Sequence, residues 1–394
     1  MNPKEKVSLI PPTSRTFIGS FARGIPGIAF LAAFVLPGPP PTVNAAEILT
    51  IDVCKAVHEH PRHDHQLIFP LRDGRLMLVW SEYYLRDASA KQPGTVGDQM
   101  PCRISAKIST DNGRTWGETF VFQENTGKFN VKHPNLVRLP SGDVLFFYTE
   151  WNSMSERIVY LRRSTDDCKT WSEPKLISSP TGVTNINNDH VLRMKSGRIV
   201  LPAFHSPTVW AKDTHWLGFC FYSDDDGKTW QQSEQKMDMA ERGPEEPSIV
   251  ELKDGGLLAV LRNSLGSVYK SLSTDAGKTW SEPVSTGLPG PLSPPLVKRI
   301  PSTGDLLLVW NRTYTPGHHH KGERTPLCTA ISRDDGATWE KIKNIEHKPG
   351  GAAAYAAVTF IGDEALVTYY YQARGMGAAS DVRLKIVPVA WFYE

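Results

Sequence analysis

One eight-residue phrase occurs five times in this chain. It reads STDNGRTW from Ser109, STDDCKTW from Ser164, SDDDGKTW from Ser223, STDAGKTW from Ser273 and SRDDGATW from Ser332. The starts are 55, 59, 50 and 59 residues apart. Self-similarity at that period marks a chain of repeated supersecondary units that bury one another's faces. The Asp of the phrase (Asp111, Asp166, Asp225, Asp275, Asp334) is a short acceptor for backbone N–H groups in a tight turn. The Gly two residues on (Gly113, Gly227, Gly277, Gly336) supplies a positive φ. The Thr-Trp pair then starts a strand, and the Trp is large enough to wedge between neighbouring units. The second copy carries Cys168 instead of Gly, which predicts a strained or differently shaped turn. Asp224-Asp225-Asp226-Gly227 has the look of a calcium loop, but an EF-hand needs flanking helices and a terminal bidentate Glu, and neither is evident.

A second pattern lies between the phrases: alternating apolar residues, a Gly-containing turn, then a dense apolar run. The copies begin HQLIFPLRDG at His65, HPNLVRLPSG at His133, NDHVLRMKSG at Asn188, EPSIVELKDG at Glu246, PPLVKRIPSTG at Pro294 and YAAVTFIGDE at Tyr355. Period-two alternation around such a turn predicts a β-hairpin. Six copies predict an all-β, six-bladed β-propeller over residues 46–394, each blade an inner hairpin followed by an outer one turned by the Asp phrase. The last blade lacks the phrase. Its outer strand is expected in RLKIVPVAWFYE, closed by EILTIDV from the other end of the domain, which removes free sheet edges.

Composition agrees with one large β-domain. The chain is 40% hydrophobic, with 30 Pro and 31 Gly for many short strands and turns. A net charge of +2 gives no footing for nucleic acid or a membrane surface. Residues 1–45 read as a signal peptide: basic Lys4, Lys6, Arg15 and Arg23, the apolar run IPGIAFLAAFVLPG, and small residues around Val43–Ala45. An uncleaved anchor is the alternative, although the run is short and Pro-broken for a span. Export to the periplasm or beyond is the expectation. Five cysteines at unrelated spacings predict buried thiols with one disulfide at most, and no metal or cofactor motif is present.

In a propeller the starts of the innermost strands crowd around the axis, so equivalent positions converge. They are His65, His133, Asn188, Glu246, Pro294 and Tyr355. Polar groups converging in a concave site predict a functional pocket, against the plainer reading of satisfied groups in a wet channel.

The phrases, the blade count and this ring resemble the sialidase (neuraminidase) family, whose propellers carry BNR, or Asp-box, repeats. The resemblance covers about Ile48 to Glu394. It implies a nucleophilic Tyr355 in AYAAVTF with Glu246 as its base, and Asp98 in GDQMPCRISAKIS as acid/base. It also implies Arg262 in EPSIVELKDGGLLAVLRNSLG and Arg324 in ERTPLCTAIS as the grip on a substrate carboxylate. The chemistry suits an acidic sugar. A neutral Tyr is not repelled by a carboxylate on the anomeric carbon, and sialidases are exceptions to the two-carboxylate rule of glycosidases. Two guanidinium groups bind a carboxylate in planar, bidentate fashion. One departure stands out. The family's first arginine, in an R-I-P phrase, is replaced by His65 in PRHDHQLIFPL, with Arg62 displaced by three residues. His65 and His133 are therefore expected to contact substrate, with His63 and His190 adding to a His-rich ring. The expected partner is a glycan or glycoconjugate, processed by a retaining exo-glycosidase of exo-alpha-sialidase type. Two alternatives remain open: a propeller polysaccharide lyase or hydrolase on uronic-acid glycans using His65, His133 and Tyr355, and a non-catalytic glycan-binding propeller.

Overall fold

Each run of alternating apolar residues folds as a strand buried on both faces. In Leu76–Tyr83, Leu76, Leu78 and Trp80 point into one core layer and Met77 and Val79 into the next. The computed structural model describes residues 47–86 and 97–394. The expected signal peptide at 1–45 lies outside the described residues. The described residues are all-β apart from a short 3-10 turn at Val389–Tyr393, which ends the strand expected through RLKIVPVAWFYE.

Arg62–Pro70, Leu76–Tyr83, Cys102–Ser109 and Phe120–Gln123 form an antiparallel sheet in that order. Glu245–Glu251, Leu257–Arg262, Ser267–Ser273 and Val284–Pro289 form another, and Leu296–Arg299, Leu306–Asn311, Leu327–Ser332 and Glu340–Glu346 a third. Ala352–Ile361, Glu364–Gln372 and Asp381–Pro388 are closed by Leu49–Cys54 from the far end of the domain, with Leu49 opposite Ile386. The remaining strands make one nine-stranded sheet. It joins a set running from Asn130–Arg138 to Lys175–Leu176 with a set running from Gly182–Asn185 to Gln231–Gln232. The link is a short parallel pairing, Gly182 with Glu156 and Val183 with Arg157.

Successive sheets pack face to face. Leu67, Phe69, Met77 and Val79 share a core with Val144, Phe146 and Tyr148 of the following sheet. Ile68, Leu76, Leu78 and Trp80 share another with Leu366, Leu384 and Ile386 of the last sheet. The apolar layers thus run between sheets and leave the inner strand ends to polar residues.

The Asp phrases join the third and fourth strands, and none of their residues lines the cavity described below. All five have one geometry. Asp111 Oδ1 accepts from Thr115 N at 2.9 Å and Ser109 Oγ accepts from Gly113 N at 2.9 Å, and the other copies repeat both bonds within 0.2 Å. The second copy does not deviate: Cys168 adopts φ 70° and its N–H bonds Ser164 Oγ at 2.9 Å. The serine–aspartate network fixes the turn and imposes the left-handed conformation on the Cys. The Trp wedge holds as well, with Trp280 buried against Met194, Val200 and Leu257. The five cysteines are all free, four of them buried.

Candidate active site

Four inner strands open in the same unusual way. The register slips between Asp64 and Leu67, Lys132 and Asn135, Glu245 and Ser248, and Ala354 and Ala357. At each slip one non-glycine residue is left-handed: His65 (φ 50°), His133 (62°), Glu246 (46°) and Tyr355 (55°). A bulge of this kind re-aims one side chain, and left-handed backbone costs a non-glycine residue on the order of 1–2 kcal/mol. Buried amides hold the kinks in place. Gln66 Nε2 donates to Tyr355 O at 2.6 Å, Asn188 Nδ2 to Gln66 O at 2.7 Å, and Asn135 Nδ2 to His133 O at 3.3 Å.

Two ring positions read from the sequence need correction. In the third repeat the left-handed residue is Asp189 (φ 57°) rather than Asn188. Asn188 is buried as a backbone clamp, and Asp189 pairs with Lys298 at 3.1 Å. Pro294 does not line the cavity. His63 and His190 do not either: His63 Nδ1 accepts from Trp80 Nε1 at 3.1 Å, and His190 Nδ1 donates to Pro247 O at 2.9 Å.

The other predicted residues meet. His65, Asp98, His133, Glu246, Arg262, Arg324 and Tyr355 all line one cavity of about 870 Å³. At its centre Tyr355 Oη donates to Glu246 Oε1 at 3.2 Å and accepts from Arg262 Nη1 at 3.1 Å. The same Arg262 nitrogen lies 2.8 Å from Glu246 Oε2. Burial, and then the Glu246 charge, raise the Tyr355 hydroxyl above its ordinary value, so it enters any reaction protonated. Burial works against the charge of Arg262, but Glu246, with Glu245 and Tyr355 behind it, more than restores it. Arg324 lies over the Tyr355 ring at 5.5 Å and donates to Tyr370 Oη at 3.1 Å.

His65 stands where a first arginine was expected. Its ring meets the Tyr355 ring at 4.4 Å and the His133 ring at 4.2 Å between centroids. Its Nδ1 makes a short hydrogen bond to Asp64 Oδ1, and Arg62 holds Asp64 at 2.8–2.9 Å. His133 Nδ1 donates to Thr149 Oγ1 at 2.8 Å, because that hydroxyl gives its own proton to Lys132 O. Both imidazoles are pushed down by burial, His133 further by its neighbour His65, and so both present a neutral Nε2. Asp98 is on the cavity wall, but it is not free. Arg62 Nη1 pairs with it at 2.8 Å. Burial alone would raise its pKa, yet Arg62 and then Lys132 hold the carboxyl well below the usual range. Asp98 is therefore ionised at neutral pH.

Several lining residues were not read from the sequence. Tyr370 follows no motif and is placed by strand pairing. The run His318–His319–His320 is plain in the sequence but was given no place; its loop reaches the cavity, and burial with Arg324 and Arg262 pushes His320 down to about 3. Lys132 immediately precedes a ring position, a signal that could have found it. Arg157 sits in a third strand, where nothing local marks it.

The BNR repeat-like domain family matches residues 65–367. Among curated proteins the chain is 25% identical over 238 residues to a sialidase of Bacteroides fragilis, covering 57% of this chain and 41% of that protein. It is 23% identical over 321 residues to a sialidase of Micromonospora viridifaciens, covering 73% of this chain and 48% of that one. The chain therefore spans less than half the length of these relatives. Among solved structures, Trypanosoma rangeli sialidase superposes with a TM-score of 0.67 at 15% identity, over 89% of this chain and 61% of the other. A Dyadobacter fermentans protein of unknown function superposes with a TM-score of 0.70 at 19% identity, over 86% and 98%. The chain belongs to the BNR repeat-like domain family of sialidase-type proteins.

Proposed function

We propose that this protein is an exported, retaining exo-glycosidase of exo-alpha-sialidase type that removes a terminal sialic acid or related acidic sugar from glycans. The nine-stranded sheet is read as two blades bridged by the short parallel pairing, which makes six in all. The observation that carries the proposal is the triangle of Tyr355, Glu246 and Arg262, with Arg324 over the tyrosine ring. Arg262 and Arg324 grip the substrate carboxylate. Glu246 takes the phenolic proton as Tyr355 Oη attacks the anomeric carbon, so that the nucleophile becomes anionic only in the transition state. The departing oxygen needs a proton. Asp98 supplies it only once substrate raises its proton affinity, and as a carboxylate it then activates water for the second step. His65 takes the place of a third guanidinium and leaves the grip weaker.

The Asp64–His65 pair beside Tyr355 favours a second reading. A neutral His65 Nε2 can abstract the proton next to a uronate carboxylate while Tyr355 protonates the leaving oxygen, giving an unsaturated product. A fluorogenic sialoside and a panel of uronate polymers, each incubated with wild type and Tyr355→Phe, separate the readings. Release of fluorophore that falls at least 10³-fold in Tyr355→Phe supports the glycosidase. A product absorbing in the near ultraviolet supports the lyase. Binding without product leaves a glycan-binding propeller.

A further inference from the structure

A second group of cations lines the cavity on the strands of the second repeat. Lys132 stands at the bulge beside His133, and Arg157 lies in Glu156–Ser164. Both are buried, 3% and 6% exposed, and both line the cavity. Both heads face one indole: the Arg157 guanidinium lies 4.0 Å and Lys132 Nζ 5.6 Å from the Trp151 ring. Among the described residues neither forms an ion pair. Lys132 Nζ donates to Tyr83 Oη at 2.9 Å, and Arg157 Nε is buried without an acceptor. Among the described residues three other arginines of the cavity have carboxylate partners, Arg262 with Glu246, Arg242 with Glu245, and Arg62 with Asp64 and Asp98; Arg324, placed above against the substrate carboxylate, has none.

Burying a cation without an ion-pair partner is costly, and groups held at that cost in a cleft are candidates for binding. Asp98 faces both cations but is already taken by Arg62. Trp151 covers the face of the Arg157 guanidinium, and the edge of a guanidinium is what forks onto an oxyanion.

We infer that Arg157 and Lys132 form a second anion subsite, which takes an oxyanion of the glycan other than the carboxylate held by Arg262 and Arg324. That group is a sulfate ester or a second carboxylate, so the preferred substrate carries at least two acidic groups. This rests on the reading of the cavity as a glycan site. It also bears on Asp98: an anion against Lys132 and Arg157 offsets two of the charges that keep Asp98 ionised, and readies it to carry a proton.

The test is made by binding, not turnover, so it stands apart from whether a sialoside is cleaved. Inorganic sulfate is titrated calorimetrically into the Arg262→Gln/Arg324→Gln double variant, in which the first grip is disabled. Adding Arg157→Gln or Lys132→Gln is expected to weaken sulfate at least tenfold, with Arg157→Lys in between. Matched oligosaccharides, one bearing a sulfate ester and one a uronate, are then titrated into wild type and Arg157→Gln. A tenfold loss confined to one arm identifies the group, and a loss in both identifies a general oxyanion site. Circular dichroism checks each fold, and Lys132→Gln carries the test where Arg157→Gln fails to fold. Sulfate affinity within threefold across Arg157→Gln and Lys132→Gln, or no loss in either oligosaccharide arm, overturns the inference.

Discussion

Replacing Glu246 with Gln separates the two roles that the structure gives this carboxylate. Oε2 holds the buried Arg262 at 2.8 Å, and Oε1 accepts the Tyr355 proton at 3.2 Å. An amide fills nearly the same space, keeps one acceptor oxygen for the Arg262 guanidinium and turns its NH2 towards the Tyr355 oxygen, but it cannot take a proton. General-base assistance is worth about 10²–10⁴-fold, or about 2.7–5.4 kcal/mol of barrier. The expected result on a fluorogenic sialoside is therefore a kcat reduced by that factor, with KM changed less than fivefold. Stability should respond differently. Removing the acceptor altogether in Glu246→Ala strands the Arg262 charge and costs about 3–5 kcal/mol, and Gln costs less because its carbonyl still accepts. Urea unfolding of both variants beside wild type measures that difference. A kcat within threefold of wild type in a folded Glu246→Gln protein would falsify the assignment of Glu246 as the base. A loss of activity proportional to the loss of stability would instead reduce it to a structural partner of Arg262.

Two further outcomes follow from the same geometry. Trp280 is 2% exposed between two sheets, so Trp280→Ala should cost about 3–5 kcal/mol in urea unfolding, and the partly buried Trp230 clearly less; equal costs would count against the wedge. His63 and His190 are pushed down by burial to about 4 and about 3, from the ordinary imidazole value of 6.5. Between those values the unfolded chain binds more protons than the folded one, so stability rises with pH across the window and is lost as pH falls from 6.5 towards 3. Each histidine contributes a slope of up to about 1.4 kcal/mol per pH unit. A urea midpoint that stays level from pH 6.5 to pH 4 would contradict this.

Much of the fold was legible because it depends on local chemistry repeated in register. Ser109, Asp111, Gly113 and Thr115 satisfy one another within seven residues, and their four sister turns do the same. A ruler of that kind places each inner strand, and through it Tyr355, Glu246, His65 and His133. Arg262 and Arg324 were reached through the family resemblance, and the cavity contains them as well. The one-residue error at Asn188 shows the limit of counting. A bulge set by cross-strand register turns His65, His133, Glu246 and Tyr355 inward where counting put them; in the third repeat the left-handed residue is Asp189, and neither it nor Asn188 lines the cavity.

The sequence by itself determined the repeat, the antiparallel hairpins, the closing of the last sheet by Leu49–Cys54 and the residue types at the pocket. The repeat, the hairpins and the ring residues follow from contacts within a repeat or from a period that can be counted, and the closing strand from a last copy that lacks the Asp phrase. Only the tertiary structure decided the charge state of the site. Asp98 is tied to Arg62 across 36 residues, His65 is neutral beside Asp64, and Arg157 and Lys132 are buried against Trp151 with no ion pair among the described residues. Burial and long-range pairing set these properties, and both are sums over groups that come together only when the sheets have packed.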